Sequence, residues 1–206
     1  MLRERLREAR STTGIVYSKL DVKSWIARTP SVDEARPARC PACDSASRPI
    51  GGLLVLVGHG LRARQQCGPL EPDGTPVAIV LLLRRYLCLH CGAVATVVPR
   101  GVAPRRHYSA LAVAWALALF GLLRRPAPEV RRRTSPSRIV GEAARTDWVT
   151  LRRWCHAARS ALPALASLTL RQAAARRAQS LVAAAPPALS HLDLAARAFW
   201  GAMHMA

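Results

Sequence analysis

The chain has almost no lysine: of its 31 basic residues only Lys19 and Lys23 are lysines, and the rest are arginine. Acids are scarce too, 12 in all, and after Asp147 the only one is Asp193. A two-metal nuclease, which needs several carboxylates, cannot be assembled on that downstream side. No Ser/His/Asp pattern, phosphate-binding glycine loop or metal-hydrolase motif is present. The longest apolar stretch, Tyr108 to Leu123, is bounded by Arg105-Arg106 and Arg124-Arg125. It falls short of the ~20 residues a bilayer requires and reads as a buried core helix capped by Ser109, so no membrane partner is expected. An apolar signal segment is also missing from the opening Met1-Leu2-Arg3-Glu4-Arg5. The expectation is a cytoplasmic protein whose thiols stay reduced instead of pairing as disulfides.

What is present begins with charge. The formal net charge is +19 and half the residues are hydrophobic (50%), so a core is possible and polyanions are the favoured partners. Residues 99–160 hold 13 arginines and 3 acids, a net of +10, which is over half the total. Arginine over lysine, with abundant alanine and proline, fits GC-rich coding. The clustering does not follow from coding.

Cysteine supplies the second signal. Cys40-Pro-Ala-Cys43 and Cys88-Leu-His-Cys91 are two Cys-x-x-Cys pairs. Each spacing puts two sulfurs on one side of a tight turn, and two turns supply the four soft tetrahedral ligands of a structural Zn²⁺. Gly92 offers the positive φ such a knuckle uses. His90 lies inside the second knuckle but four thiolates already complete the shell, so it reads as exposed. His59, between two glycines, reads as a turn residue. Cys67 and Cys155 read as small buried hydrophobes.

Between the knuckles, Leu53 to Val57, Leu61 to Arg64 and Val77 to Leu83 read as strands, with Gly58-His59-Gly60 and Glu71 to Thr75 as turns. Ala93 to Val98 reads as one more. The expected fold class is α+β: a small antiparallel zinc-ribbon sheet followed by an all-α helix-turn-helix region. The expected boundaries are an N-terminal helical segment (1–38), a zinc-ribbon-like β domain (39–104), a core helix plus helix-turn-helix (105–162) and an Ala-rich C-terminal helical segment (163–206). Within the first, residues 2–10 read as a short helix and Ser31 with Glu34 as a capping box.

The helix-turn-helix is expected from two patterns. Pro126-Ala127-Pro128 closes the core helix and Arg131-Arg132-Arg133 forms a basic connector. Ser135-Pro136 then starts a helix carrying Ile139, Val140, Ala143 and Ala144. A second helix starts at Trp148, capped by Asp147. Its apolar face is Leu151, Cys155, Ala158 and Leu162, and Arg153, His156 and Ser160 lie opposite, flanked by Arg152 and Arg159. Candidate nucleic-acid contacts are Arg131, Arg132, Arg133, Arg138, Arg152, Arg153, His156 and Arg159.

These residues resemble a bacterial family. Cys40 to Cys43, His59-Gly60-Leu61-Arg62, Arg84-Arg85-Tyr86-Leu87-Cys88-Leu89-His90-Cys91-Gly92 and the stretch Pro99 to Ser109 look like the zinc-ribbon region at the front of insertion-sequence transposases and transposon-associated DNA-binding proteins. Residues 136–160 look like the helix-turn-helix that follows it. The resemblance implies recognition of double-stranded DNA at the ends of a mobile element, with a separate transposase or a second copy of the chain as protein partner. It does not extend to the family's carboxylate-rich catalytic part, so the expectation is no enzyme. Two alternatives stand beside it: a helix-turn-helix transcription regulator with a structural zinc ribbon, and an enzyme whose zinc has three protein ligands and a water.

Overall fold

The structure, a computed structural model, describes residues 13–103, 106–161 and 167–203. The helix expected over residues 2–10, and Leu162 on the expected apolar face, lie outside them. The fold is α+β, with a four-stranded mixed sheet and six α-helices among the described residues. Contacts divide the chain into two units, one of residues up to Gln65 plus Val80–Arg100, the other of Gln66–Ile79 plus the chain from Gly101 onward.

The sheet has the order β1-β4-β3-β2, formed by β1 (Thr13–Asp21), β2 (Leu56–Gly68), β3 (Val77–Cys88) and β4 (Val94–Arg100). In β4 every residue from Ala95 to Pro99 is buried. A run without alternation marks a strand flanked on both sides, and β4 is antiparallel to β3 and parallel to β1, with Ile15 opposite Thr96 and Tyr17 opposite Val98. The sheet is therefore mixed, not antiparallel as expected. Residues 13–21, placed in a helical segment by the sequence reading, are strand because Ile15, Val16 and Tyr17 favour the pleat and complete the open side of β4. The chain then turns into α1 (Val22–Ala27), capped by Asp21, whose carboxylate accepts from Ser24 N at 2.9 Å.

β2 corrects a second expectation. Gly58-His59-Gly60 does not break the strand, and His59 is an exposed strand residue instead of a turn. The glycines serve the strand itself: a Cβ on Gly58 would come within 3.0 Å of Val32, and Gly60 has φ +80°. The segment carrying Val32 folds over the sheet and is fixed by polar side chains. Tyr86 Oη donates to Val32 O at 2.6 Å, Arg84 Nε to Pro30 O at 2.8 Å, and Trp25 Nε1 to Leu82 O at 3.0 Å. Ser31 and Glu34 exchange the two capping-box hydrogen bonds, here on a turn.

In the second unit α2 (Ala110–Gly121) is the expected core helix, eight of its residues buried, with Ser109 Oγ accepting from Ala112 N at 2.9 Å. It packs with α5 (Leu170–Ala183) and α6 (Leu194–Gly201). Small side chains bring these backbones close. A Cβ at Gly121 would lie 2.3 Å from Ala175 N, and one at Gly201 1.9 Å from Leu181 O.

The region expected to form a helix-turn-helix differs. Pro126-Ala127-Pro128 opens a helix, α3 (Ala127–Thr134), instead of ending one. Proline suits the first helical turn, Glu129 sits at the positive end of the dipole and Arg131 to Arg133 at the negative end. Glu129 pairs one turn back with Arg125 (3.7 Å) and one turn on with Arg133 (3.2 Å). Residues 135–148 contain one 3₁₀ turn, Glu142–Ala144, preceded by Gly141 at φ 74°, and no α-helix. The last helix of the region, α4 (Val149–Ser160), has Trp148 at its N-cap position with no side-chain cap hydrogen bond, and Asp147, the expected cap, pairs with Arg152 at 3.4 Å instead. A 3–4-residue turn between two helices, the mark of the helix-turn-helix, is thus not formed here.

Candidate metal centre and basic surface

The two knuckles are built alike. In the first, Asp44 N donates to Cys40 O and Cys40 N to Ser45 O, both at 2.9 Å. In the second, Gly92 N donates to Cys88 O and Cys88 N to Ala93 O, again both at 2.9 Å. The residue after the second cysteine is left-handed in each, Asp44 at φ 57° and Gly92 at φ 73°. Aspartate tolerates that region through its short polar side chain, and Asp44 Oδ2 is held by Arg39 at 2.9 Å. Strand β3 delivers the second knuckle, as its run into Cys88 predicts.

These turns bring Cys40, Cys43, Cys88 and Cys91 together with all four sulfurs within 4.8 Å of one another. Cys40 Sγ is 3.8 Å from Cys91 Sγ, and Cys43 Sγ is 3.8 Å from Cys88 Sγ. A tetrahedral ion with metal–sulfur bonds of about 2.3 Å separates its ligands by about 3.8 Å. The cluster could therefore hold one metal ion. Hydrogen bonds from the Ser45 hydroxyl and backbone hold the exposed Cys43 thiol down to about 6, whereas burial pushes Cys91 up to about 12 and also raises Cys88. A divalent cation bound there would take the cysteines as thiolates and release their protons.

His90 is exposed and is not one of the clustered ligands. It does reach the site through a residue the sequence did not single out: Ser45 Oγ lies 2.6 Å from His90 Nδ1 and 3.2 Å from Cys43 Sγ, which ties one knuckle to the other. Only the equivalence of position 45 with position 93, one past the left-handed residue, marks it in the sequence. Cys155 is buried, its thiol pushed up to about 12 by burial, while Cys67 is half-buried.

No protein-family model, curated protein or solved structure matches the chain. The resemblance drawn from Cys40 to Cys43, His59 to Arg62, Arg84 to Gly92, Pro99 to Ser109 and residues 136–160 thus rests on those residues alone.

The basic residues separate into groups. On α4, Leu151, Cys155 and Ala158 are buried, and Arg152, Arg153, His156 and Ser160 are exposed, which is the division the helical spacing predicts. Arg153 has no hydrogen-bond or ion-pair partner among the described residues. Arg152 pairs with Asp147, and Arg159 Nη2 lies 3.1 Å from His156 Nδ1. The helix is anchored from behind by an edge-to-face cluster of Tyr108, Trp148 and Trp154, with centroids 5.0 to 5.8 Å apart. Among the α3 arginines only Arg132 is exposed. Arg131 is 8% exposed, the position of a structural arginine and not of a phosphate contact. Arg133 is clamped by Glu129 and by Asp73, 2.9 Å away. Arg138, in the segment after α3, is exposed.

Proposed function

We propose that the chain is a zinc-stabilised DNA-binding protein, non-catalytic by itself and related to the recognition part of bacterial insertion-sequence transposases. The zinc assignment follows from the donor set: four thiolates at tetrahedral spacing suit Zn²⁺ over harder ions, and no open position remains for a reacting water. Cys40, Cys43, Cys88 and Cys91 would hold the ion, whose binding free energy becomes folding free energy for the unit that carries it. No residue of the chain is given a catalytic role.

The observation that carries the DNA reading is α4, an exposed basic face on a helix whose other face is locked into aromatic and apolar packing. Arg153 is its unengaged cation, with Arg152 and His156 one helical turn or less away. In the major groove these side chains reach base edges or flanking phosphates. Neutralising phosphates releases counterions and makes affinity fall steeply with salt. The helix acts as a single presented element, without the partner helix of a helix-turn-helix.

Selection of genomic fragments by the zinc-loaded chain at about 0.2 M salt, where purely electrostatic binding fades, tests this reading. Recovery of fragments that share one repeated terminal sequence supports it. Recovery indistinguishable from random DNA overturns it.

A further inference from the structure

A second cationic feature of the helical unit lies apart from the exposed face of α4. Residues of α3 form the floor of a cleft of about 890 Å³; Thr75 and Pro76 stand on one side, and the chain from Ser135 to Val140 on the other. One polar contact ties each wall to the helical unit. The Arg133–Asp73 ion pair, 2.9 Å long, ties the Asp73 turn to α3, and Tyr108 Oη lies 2.8 Å from Ser135 Oγ.

Its lining has two characters. Arg132 and Arg138 are exposed and have no hydrogen-bond or ion-pair partner among the described residues, and the Ser137 hydroxyl is likewise unengaged. Arg131 also borders the cleft but is 8% exposed and structural. The one carboxylate in the lining, Glu129, is already shared between Arg125 and Arg133, so the cleft keeps a positive balance. Beside these cations lie apolar surfaces without cover: Ile139 is 44% exposed and Val140 84%, with Pro76 and Pro128 in the same lining.

A bare inorganic anion would use only the guanidiniums. A ligand that uses both characters carries fork-matching oxygens at one end and a flat, poorly hydrated body at the other. We propose that this cleft binds a nucleoside phosphate, its phosphate held by Arg132 and Arg138 and its base laid against Val140, Ile139 and the prolines. The nucleotide is either free or one unit of a single strand. Neither source requires duplex recognition by α4, so the proposal stands or falls separately from that reading.

Titration calorimetry of the full zinc-loaded chain at constant ionic strength tests it, with thymidine 5′-monophosphate, inorganic phosphate and a short oligothymidylate as probes. Saturable binding of the nucleotide, about tenfold or more tighter than inorganic phosphate, is expected. The double variant Arg132→Gln/Arg138→Gln should weaken nucleotide binding about tenfold or more, and Val140→Ser should weaken nucleotide but not phosphate. These positions are exposed, so the fold is retained, and Arg176→Gln, exposed on α5 and outside the cleft, should change nothing. Competition by oligothymidylate supports the proposal and assigns a strand as source; saturation by nucleotide without competition supports it and assigns the free nucleotide. A nucleotide that binds no tighter than phosphate, or equally well to the double variant, overturns it whatever the duplex selection gives.

Discussion

The sheet unit and the helical unit are held together by different means. In the first, Trp25, Tyr86, Leu56 and Leu83 fill a core of large side chains, and four sulfurs from two turns are gathered at a single cluster. In the second, alanine and glycine bring the α2, α5 and α6 backbones close together, with Trp115 against Phe199 at 6.1 Å, and the Tyr108, Trp148 and Trp154 rings pack behind α4. With the proposed zinc in place, stability in the first would depend on a bound ion, whereas in the second it depends on the absence of side-chain atoms at two helix crossings. Insults to one unit should therefore leave a distinct signature from insults to the other.

The largest effect expected is from metal removal. Structural zinc contributes about 10–16 kcal/mol in small thiolate sites, comparable to the whole stability of an ordinary domain at about 5–15 kcal/mol. Chelation, or Cys88→Ser, should abolish hydrogen-exchange protection of β3 and β4 amides while α2 and α5 amides keep theirs. Loss of protection in both units together would show that they do not differ as described.

The reverse insult is Gly201→Val. Its Cβ would lie 1.9 Å from Leu181 O, so α5 and α6 must move apart at a cost of about 1–3 kcal/mol, or more if the backbones resist. Thermal unfolding should show the helical unit melting lower, with zinc stoichiometry unchanged.

Smaller effects separate the arginines. Arg153→Gln should weaken DNA binding by about 1–3 kcal/mol if the side chain reads a base, or lower the salt slope by about 1 if it meets a phosphate. Arg133→Gln, already engaged by Glu129 and Asp73, should leave affinity within about 1 kcal/mol of the parent, since half-exposed ion pairs of this kind contribute about that much or less. Fluorescence anisotropy against duplex at several salt concentrations measures both. An equal loss from the two substitutions would mean that charge alone, and not the α4 face, binds DNA.

The smallest effect distinguishes the knuckles themselves. Asp44→Gly relieves a left-handed backbone but gives up the Arg39 ion pair, so the two changes should cancel to within about 1 kcal/mol. Gly92→Val meets no such compensation at φ 73° and should lower zinc affinity measurably in a competition titration.

How much of this was legible in the chain depended on the range of the forces involved. The cysteine spacing carried its geometry locally, because a Cys-x-x-Cys turn is closed by hydrogen bonds between neighbours, and the four sulfurs meet as that spacing predicts. Ser109 as a helix cap and the buried Leu151, Cys155 and Ala158 face were local for the same reason. Residues 13–21 were not legible as strand because their partner β4 lies some 80 residues downstream, and pairing with it decided their conformation. Near residue 130 two local signals competed. Pro136 after Ser135 is a sound helix start, but Pro126-Ala127-Pro128 with Glu129 and three terminal arginines is a better one, and the helix forms there. Ser45 escaped notice because its role depends on His90, in the other knuckle.

X-ray absorption at the zinc edge of the metal-loaded chain bears on the whole scheme at once. Four sulfur neighbours at about 2.3 Å, with no nitrogen or oxygen in the first coordination sphere, are predicted for a closed ion that only holds the sheet unit together. Three sulfurs and one light atom would contradict it, and would return the chain to the class of proteins whose zinc keeps a position for a reacting water.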